Sequence, residues 1–328
     1  MKKVVTVPAL IVVAIVSTQA RDTVPPLQSI QEAAPTRSAQ ATRPTFRTIS
    51  SVVALNVTVT DGKKLVTGLT QDDFQVYEDG VQQEVRFFES RAVPIDLILL
   101  LDASSSMRDR MGTVHEAAKS FMKMLRPGDR GAIVAFADRV QVVQGLTSDA
   151  AAIEAAISST QAQGATALNT ALYVALKEFG RPAAGDGDVR RQAIAVLSDG
   201  EDTASLVSFE DVVGLARKTG VNVYTIGLQS DYVSREPRPP VKRSFSNAEY
   251  SLRMLAKETG AQAFFPSGVH QLRGVYASIA EELESQYSIA YAPTNRRIDN
   301  RFRRILVRVT ADPAFKPRAR TGYTSESN

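Results

Sequence analysis

Five oxygen-bearing side chains carry the chemistry that this sequence can offer. Asp102-Ala103-Ser104-Ser105-Ser106 is a D-x-S-x-S run, Thr166 lies in Gly164-Ala165-Thr166-Ala167, and Asp199 lies in Ser198-Asp199-Gly200. Asp102, Ser104, Ser106, Thr166 and Asp199 supply two carboxylates and three hydroxyls, with neither nitrogen nor sulfur. Such hard oxygen donors select Mg²⁺, Mn²⁺ or Ca²⁺. Other chemistries are removed by composition. There is no cysteine, which excludes thiolate nucleophiles, disulfides, Cys-ligated zinc and iron–sulfur clusters. His115 and His270 are the only histidines, too few for a multi-His metal site. No Walker A, G-x-G-x-x-G or G-x-S-x-G sequence occurs.

The elements around these residues read as an open α/β sheet. Ile95–Leu101 is an almost unbroken apolar run, as expected of a central parallel strand buried on both faces. In such sheets ligands bind beyond the carboxyl ends of the strands, where Asp102, Ser104 and Ser106 fall. Thr113–Glu116 has capping-box spacing and is expected to open a helix, whose stripe of Val114, Ala117, Phe121 and Leu125 ends at Pro127-Gly128. Gly131–Phe136 reads as a strand, with Arg139–Val143 as an edge hairpin beside it. Helices follow at Ala150–Ser158, Ala167–Phe179, Ser208–Thr219 and Ala248–Thr259, and Leu272, Tyr276, Ile279 and Leu283 mark another. Strands alternate with them at Gln192–Ser198, Val221–Leu228 and Ala261–Phe265. This βαβ rhythm predicts a doubly wound, mostly parallel sheet with helices on both faces.

The flanks read differently. Val53, Leu55, Val57 and Val59 alternate with smaller or polar residues, and Phe74–Tyr77 and Val81–Phe88 follow around the turn Glu78-Asp79-Gly80. Beyond the last helix, Tyr287, Ile289 and Tyr291 alternate, as do Ile305, Val307 and Val309. Neither flank has enough strands for a core of its own, so both are expected to build one small β-sandwich-like domain interrupted by the α/β segment. The boundaries expected are residues 46–91 and 286–323 for the two β-rich flanks, 92–285 for the α/β domain and 324–328 for a tail. Residues 1–20 have the charged, apolar and small-residue layout of a secretory signal peptide, the alternative being an uncleaved anchor. Residues 21–45, rich in proline and poor in large apolar groups, read as a disordered linker. A net charge of +4 does not call for nucleic acid. The basic residues between Arg296 and Arg320 read as a solvated sheet face, the alternative being a patch for a polyanion or an anionic membrane.

The motif and the elements around it resemble a von Willebrand factor type A (VWA) domain with a metal-ion-dependent adhesion site. That family's D-x-S-x-S, later threonine and later aspartate match Asp102, Ser104, Ser106, Thr166 and Asp199 in order, over about Val93–Phe265. The flanks, with D-D-F-x-V-Y-E-D-G at Asp72–Gly80 and R-x-G-Y at Arg320–Tyr323, resemble predicted secreted bacterial VWA-related proteins. The resemblance implies direct metal coordination by Ser104 and Ser106, by Thr166 once a ligand is bound, and water-mediated roles for Asp102 and Asp199. It implies a secreted or cell-envelope protein that binds a protein partner through Mg²⁺, Mn²⁺ or Ca²⁺ without catalysis. A partner carboxylate would complete the metal shell, with no nucleic acid and no membrane span after leader cleavage. Two alternatives stay open: an envelope scaffold with a stabilising ion, and a hydrolase. Phosphoaspartate-forming hydrolases usually carry a second carboxylate two residues after the first, where Ser104 stands here. Two further expectations concern the site loop. Asp102→Ala is expected to spare the fold because the site is exposed, and Met107, Arg108 and Arg110 are expected to face the partner.

Overall fold

A central sheet with two helical layers positions the motif loop. The structure, a computed structural model, describes residues 52–90, 93–179, 190–198, 202–228 and 247–325. The expected signal peptide, the linker, the Pro- and Arg-rich stretch 232–246 and Asp199 lie outside the described residues. The strands are β1 (Val53–Asp61), β2 (Lys64–Leu65), β3 (Phe74–Glu78), β4 (Val81–Gln83), β5 (Val85–Glu89), β6 (Ile95–Asp102), β7 (Arg130–Phe136), β8 (Val140–Thr147), β9 (Arg191–Ser198), β10 (Asn222–Gly227), β11 (Ala263–Phe264), β12 (Tyr287–Tyr291), β13 (Phe302–Val309), β14 (Lys316–Arg318) and β15 (Gly322–Thr324). The helices are α1 (Met111–Met122), α2 (Ala150–Ser159), α3 (Leu168–Phe179), α4 (Phe209–Thr219), α5 (Asn247–Thr259) and α6 (Leu272–Ser285).

Six strands form the sheet β11-β10-β9-β6-β7-β8, parallel except for the β7–β8 hairpin. The apolar run of β6 alternates between two cores. Leu97, Leu99 and Leu101 meet α1, α2 and α6, while Ile98 and Leu100 meet α3, α4 and α5. All eight residues of β6 are buried, so each large apolar side chain contributes about 1.5–3 kcal/mol of transfer free energy. Polar side chains therefore find water only at the strand ends, and the next residues carry the motif.

Both flanks contribute strands to shared antiparallel sheets. β1 pairs with β12 and β14, β12 with β5, and β13 with β3. The two sheets close on one core that includes Val57, Val76, Tyr287, Tyr291 and Val307. The segment Val81–Phe88 does not stay in one sheet. β4 pairs with β3 and β5 with β12, because the chain crosses from one layer to the other at Glu84.

The sandwich is fixed to the amino ends of the parallel strands by buried polar groups. Glu282 of α6 accepts from Tyr224 OH of β10 (2.8 Å), from Thr58 Oγ1 of β1 (3.2 Å) and from Arg318 of β14. Arg191, the first residue of β9, donates to Ser288 Oγ and to the carbonyls of Leu283 and Gln286. Asn56 of β1 donates to Asn222 of β10, which donates to Thr259 O.

Two local expectations are corrected here. Helix α1 starts at Met111, not at the capping-box residue Thr113, because Ser105–Arg110 already winds as a 3₁₀ turn and feeds directly into it. The C-terminal basic residues do not form one solvated face. Arg304 and Arg308 point outward from β13, but Arg303 is buried against Asp299 and Arg318 is tied to Glu282. Alternation along β13 puts residues of the same charge on opposite faces.

Candidate metal site

Asp102 ends β6 with its side chain wholly buried. Its Oδ1 accepts from Ser104 N (2.9 Å) and its Oδ2 from Ser198 Oγ (2.7 Å) at the end of β9. The first bond turns the chain sharply after the strand, as aspartate does in an Asx turn. Ser104 then sits in extended geometry at the head of the 3₁₀ turn, and its carbonyl accepts from Met107 N. This turn brings Ser104 Oγ and Ser106 Oγ to 2.9 Å of each other. Ser106 is exposed, whereas Ser104 is 2% exposed.

A second loop is laced to the first. Ala103 N donates to Phe136 O and Ala103 O accepts from Gln163 N, while Ser105 N donates to Gly164 O (3.0 Å). Gly164 has φ +75°, a left-handed conformation that favours glycine, and a Cβ there would lie 2.8 Å from Asp138 Oδ1. Thr166 follows two residues later and is buried. Its N–H donates to Thr203 Oγ1, and its carbonyl accepts from the N–H groups of Thr203 and Ala204. Asp102, Ser104 and Ser106 thus share one hydrogen-bonded turn, and Thr166 is anchored beside it by the bonded pairs at 163–164. Asp199 follows Ser198, the residue on Asp102, but lies outside the described residues.

The donor set fits a small hard cation. Two oxygens bound at right angles to one Mg²⁺, each at about 2.1 Å, lie about 3.0 Å apart. The Ser104–Ser106 separation is close to that value. Both oxygens of Asp102 already accept protein hydrogen bonds, which suits a carboxylate that meets an ion through water. No cluster of three or more His, Asp or Glu residues able to hold a metal occurs among the described residues.

Two expectations change. Asp102 is not exposed, so removing its carboxylate strands Ser104 N–H and Ser198 O–H as well as altering the site. Met107 is not at the surface. It is fully buried in the core with Val114 and Phe121 and pins the turn, leaving Arg108 exposed and Arg110 half-buried. Sequence reasoning did not assign roles to Ser198, which orients Asp102, or to Thr203, which holds Thr166. Ser198 was legible as a hydroxyl at a strand end; Thr203, 37 residues from its partner, carried no local signal.

With this fold and site, the molecule is an α/β domain with a polar loop cluster at the carboxyl end of its sheet. The family model for the von Willebrand factor type A domain matches residues 96–273, more than half of the chain, and the chain belongs to that family. Among curated relatives, a UPF0353 protein of Mycolicibacterium vanbaalenii is 29% identical over 227 residues, covering 64% of this chain and 66% of that protein. A UPF0353 protein of Mycobacterium sp. (strain KMS) is 30% identical over 223 residues, covering 62% and 64%. The chain thus spans slightly less than two thirds of the length of these relatives. Among solved structures, a von Willebrand factor type A protein from Catenulispora acidiphila aligns with a TM-score of 0.49 at 14% identity, covering 85% of this chain and 74% of that one. BatB from Bacteroides thetaiotaomicron aligns with a TM-score of 0.44 at 19% identity, covering 58% and 100%. No helix among the described residues is long and apolar enough to cross a membrane.

Proposed function

We propose that the VWA domain binds a protein partner through a divalent cation, Mg²⁺ or alternatively Mn²⁺ or Ca²⁺, held by Ser104, Ser106 and Thr166 with Asp102 and Asp199 acting through water. The observation that carries this reading is the pair of serine hydroxyls 2.9 Å apart beside a buried aspartate, at the carboxyl end of the central strand. When bound, the ion supplies a strong positive charge facing outward, because serine and threonine hydroxyls are neutral. A carboxylate from the partner is the hard anionic oxygen that matches it; a lysine or arginine is repelled. The chain's own residues do the positioning. Asp102 and Ser198 fix the turn, the Gly164 carbonyl ties the second loop to Ser105, and Thr203 sets Thr166. Arg108 offers charge beside an acidic group, and Leu206, 95% exposed on the loop that holds Thr166, offers apolar contact. The role is binding, not catalysis. It is exercised outside the cytoplasm, in secreted or envelope-associated form, with residues 1–20 as the leader.

The test is capture of the partner from a cell-envelope extract with Mg²⁺ and with EDTA. Capture is expected to need Mg²⁺ and to fall at least tenfold in Thr166→Ala, with no further loss on adding EDTA, since both remove the same contact. Changing the partner's acidic residues singly to alanine should then reproduce the EDTA result at one position. If binding survives chelation, the ion is only stabilising and the scaffold reading replaces this one.

A further inference from the structure

A second polar site lies at the opposite end of the sheet. Between the outer surface of β1, β5 and β12 and the end of α4 is a cleft of about 470 Å³. Arg190, Arg191, Lys218 and Arg320 all line it, and no aspartate or glutamate is among the described residues that do. Val52 and Phe87, both exposed, form part of its lining.

Arg320 is the residue that the fold leaves unexplained. It sits between β14 and β15, and its Nε is buried with no hydrogen-bond partner. Its guanidinium lies 5.7 Å from the ring centre of Tyr323 and rests on the αL glycine that ends α4. A Cβ on Gly220 would be 2.8 Å from Arg320 Nη1, so the guanidinium lies directly over that glycine. A cationic nitrogen kept from water normally has a partner, because its desolvation is costly. Its neighbour Arg190 shows the usual solution, donating to buried Asp96. Asp96 also serves Arg130. Burial lowers the pKa of Arg320, and that of Arg191 to about 10, desolvation being the largest cause in each.

We propose that this cleft binds a phosphate-class oxyanion, free or as the phosphoryl group of a small phosphomonoester, with Arg320 as its principal ligand. Guanidinium groups form charge-assisted, forked hydrogen bonds to such anions, and a tetrahedral dianion accepts from several donors at once. The ligand would also link the two parts of the molecule, since Arg320 belongs to the sandwich and Gly220 and Lys218 to the α/β layer.

The experiment is isothermal titration of the full chain with inorganic phosphate and with glycerol 3-phosphate, against chloride at equal ionic strength. Both anions are expected to bind saturably and to raise the melting temperature where chloride does not. Equal affinities indicate a site for free phosphate; at least fivefold tighter glycerol 3-phosphate indicates a phosphomonoester. Arg320→Gln is expected to weaken binding at least tenfold. Ala54→Glu tests the site without removing a buried group: Ala54 is exposed and lines the same cleft, and the new carboxylate should abolish the response. The proposal is overturned if neither anion binds saturably to the unaltered chain, or if Ala54→Glu or folded Arg320→Gln binds as the unaltered chain does.

Discussion

The two ends of the six-stranded sheet treat polar groups in opposite ways. At the amino end, Glu282, Tyr224, Thr58, Arg191, Asn56 and Asn222 are buried or half-buried and bonded to one another across the contact with the sandwich. At the carboxyl end, Asp102 is buried and bonded, and of the two serine hydroxyls beside it Ser104 is buried while Ser106 reaches the surface of a loop cluster. One arrangement uses polar groups to lock two layers together. The other uses them to hold a few oxygens ready. The polar network should therefore matter for stability at the first end, and the response to metal should come from the second.

The largest expected effect tests the locked end. Glu282→Ala removes the acceptor of Tyr224, Thr58 and Arg318 together, leaving buried donors and a half-buried arginine unpaired. Breaking a buried pair in this way costs about 3–5 kcal/mol, read as a large fall in Tm or denaturant midpoint. A change under about 1 kcal/mol would mean that the sandwich and sheet are held by their apolar contacts and not by this network.

At the open end the contrast should reverse. Ser106 is exposed, so Ser106→Ala should alter stability without metal by no more than about 0.5 kcal/mol. The unaltered chain should gain about 2.7 kcal/mol when Mg²⁺ or Mn²⁺ is present at 100 times its Kd. Ser106→Ala should lose most of that gain. Thermal denaturation with a metal titration measures both numbers. Asp102→Ala is a poorer probe, because the buried carboxylate also holds Ser104 and Ser198.

The smallest effect concerns pH. His115, on α1 just after the motif turn, bonds through Nε2 to Thr160 Oγ1 (2.7 Å). Thr160 Oγ1 donates to Ile157 O, so the imidazole is the donor to that hydroxyl. Burial, with Lys119 nearby, holds the His115 pKa below 6.5, while Glu116 opposes this weakly. The unfolded chain therefore takes up the proton first. Stability from this group is complete above about pH 6.5 and is lost as pH falls through the folded value. His115→Gln should flatten the fall in Tm over that interval, while the Mg²⁺ response at neutral pH stays unchanged.

Much of this architecture was legible in local pattern. The run Ile95–Leu101 could bury both faces only as a central strand, and Ser208 and Gly220 are the start and stop of α4 as their chemistry demands. Tyr287 and Tyr291 alternate with small residues and are core residues in the structure. Local pattern misled where a neighbouring turn intervened. Thr113 and Glu116 have the right spacing for a cap, yet the chain was already helical at Met111. Val81–Phe88 reads as one strand, yet a change of layer at Glu84 divides it.

By itself the sequence determined the order of strands and helices, the two-sided burial of β6, and the position of Asp102, Ser104 and Ser106 just beyond it, because these follow from periodicity over a few neighbouring residues. Tertiary structure alone decided what lies far apart in the chain. It set Ser198 on Asp102 and Thr203 on Thr166, paired β1 with β12 across more than 200 residues, and buried Arg303 while leaving Arg304 in water. Hydrophobic spacing says which side of an element turns inward. It does not say which distant element waits there, and the desolvation of each charge depends on that partner.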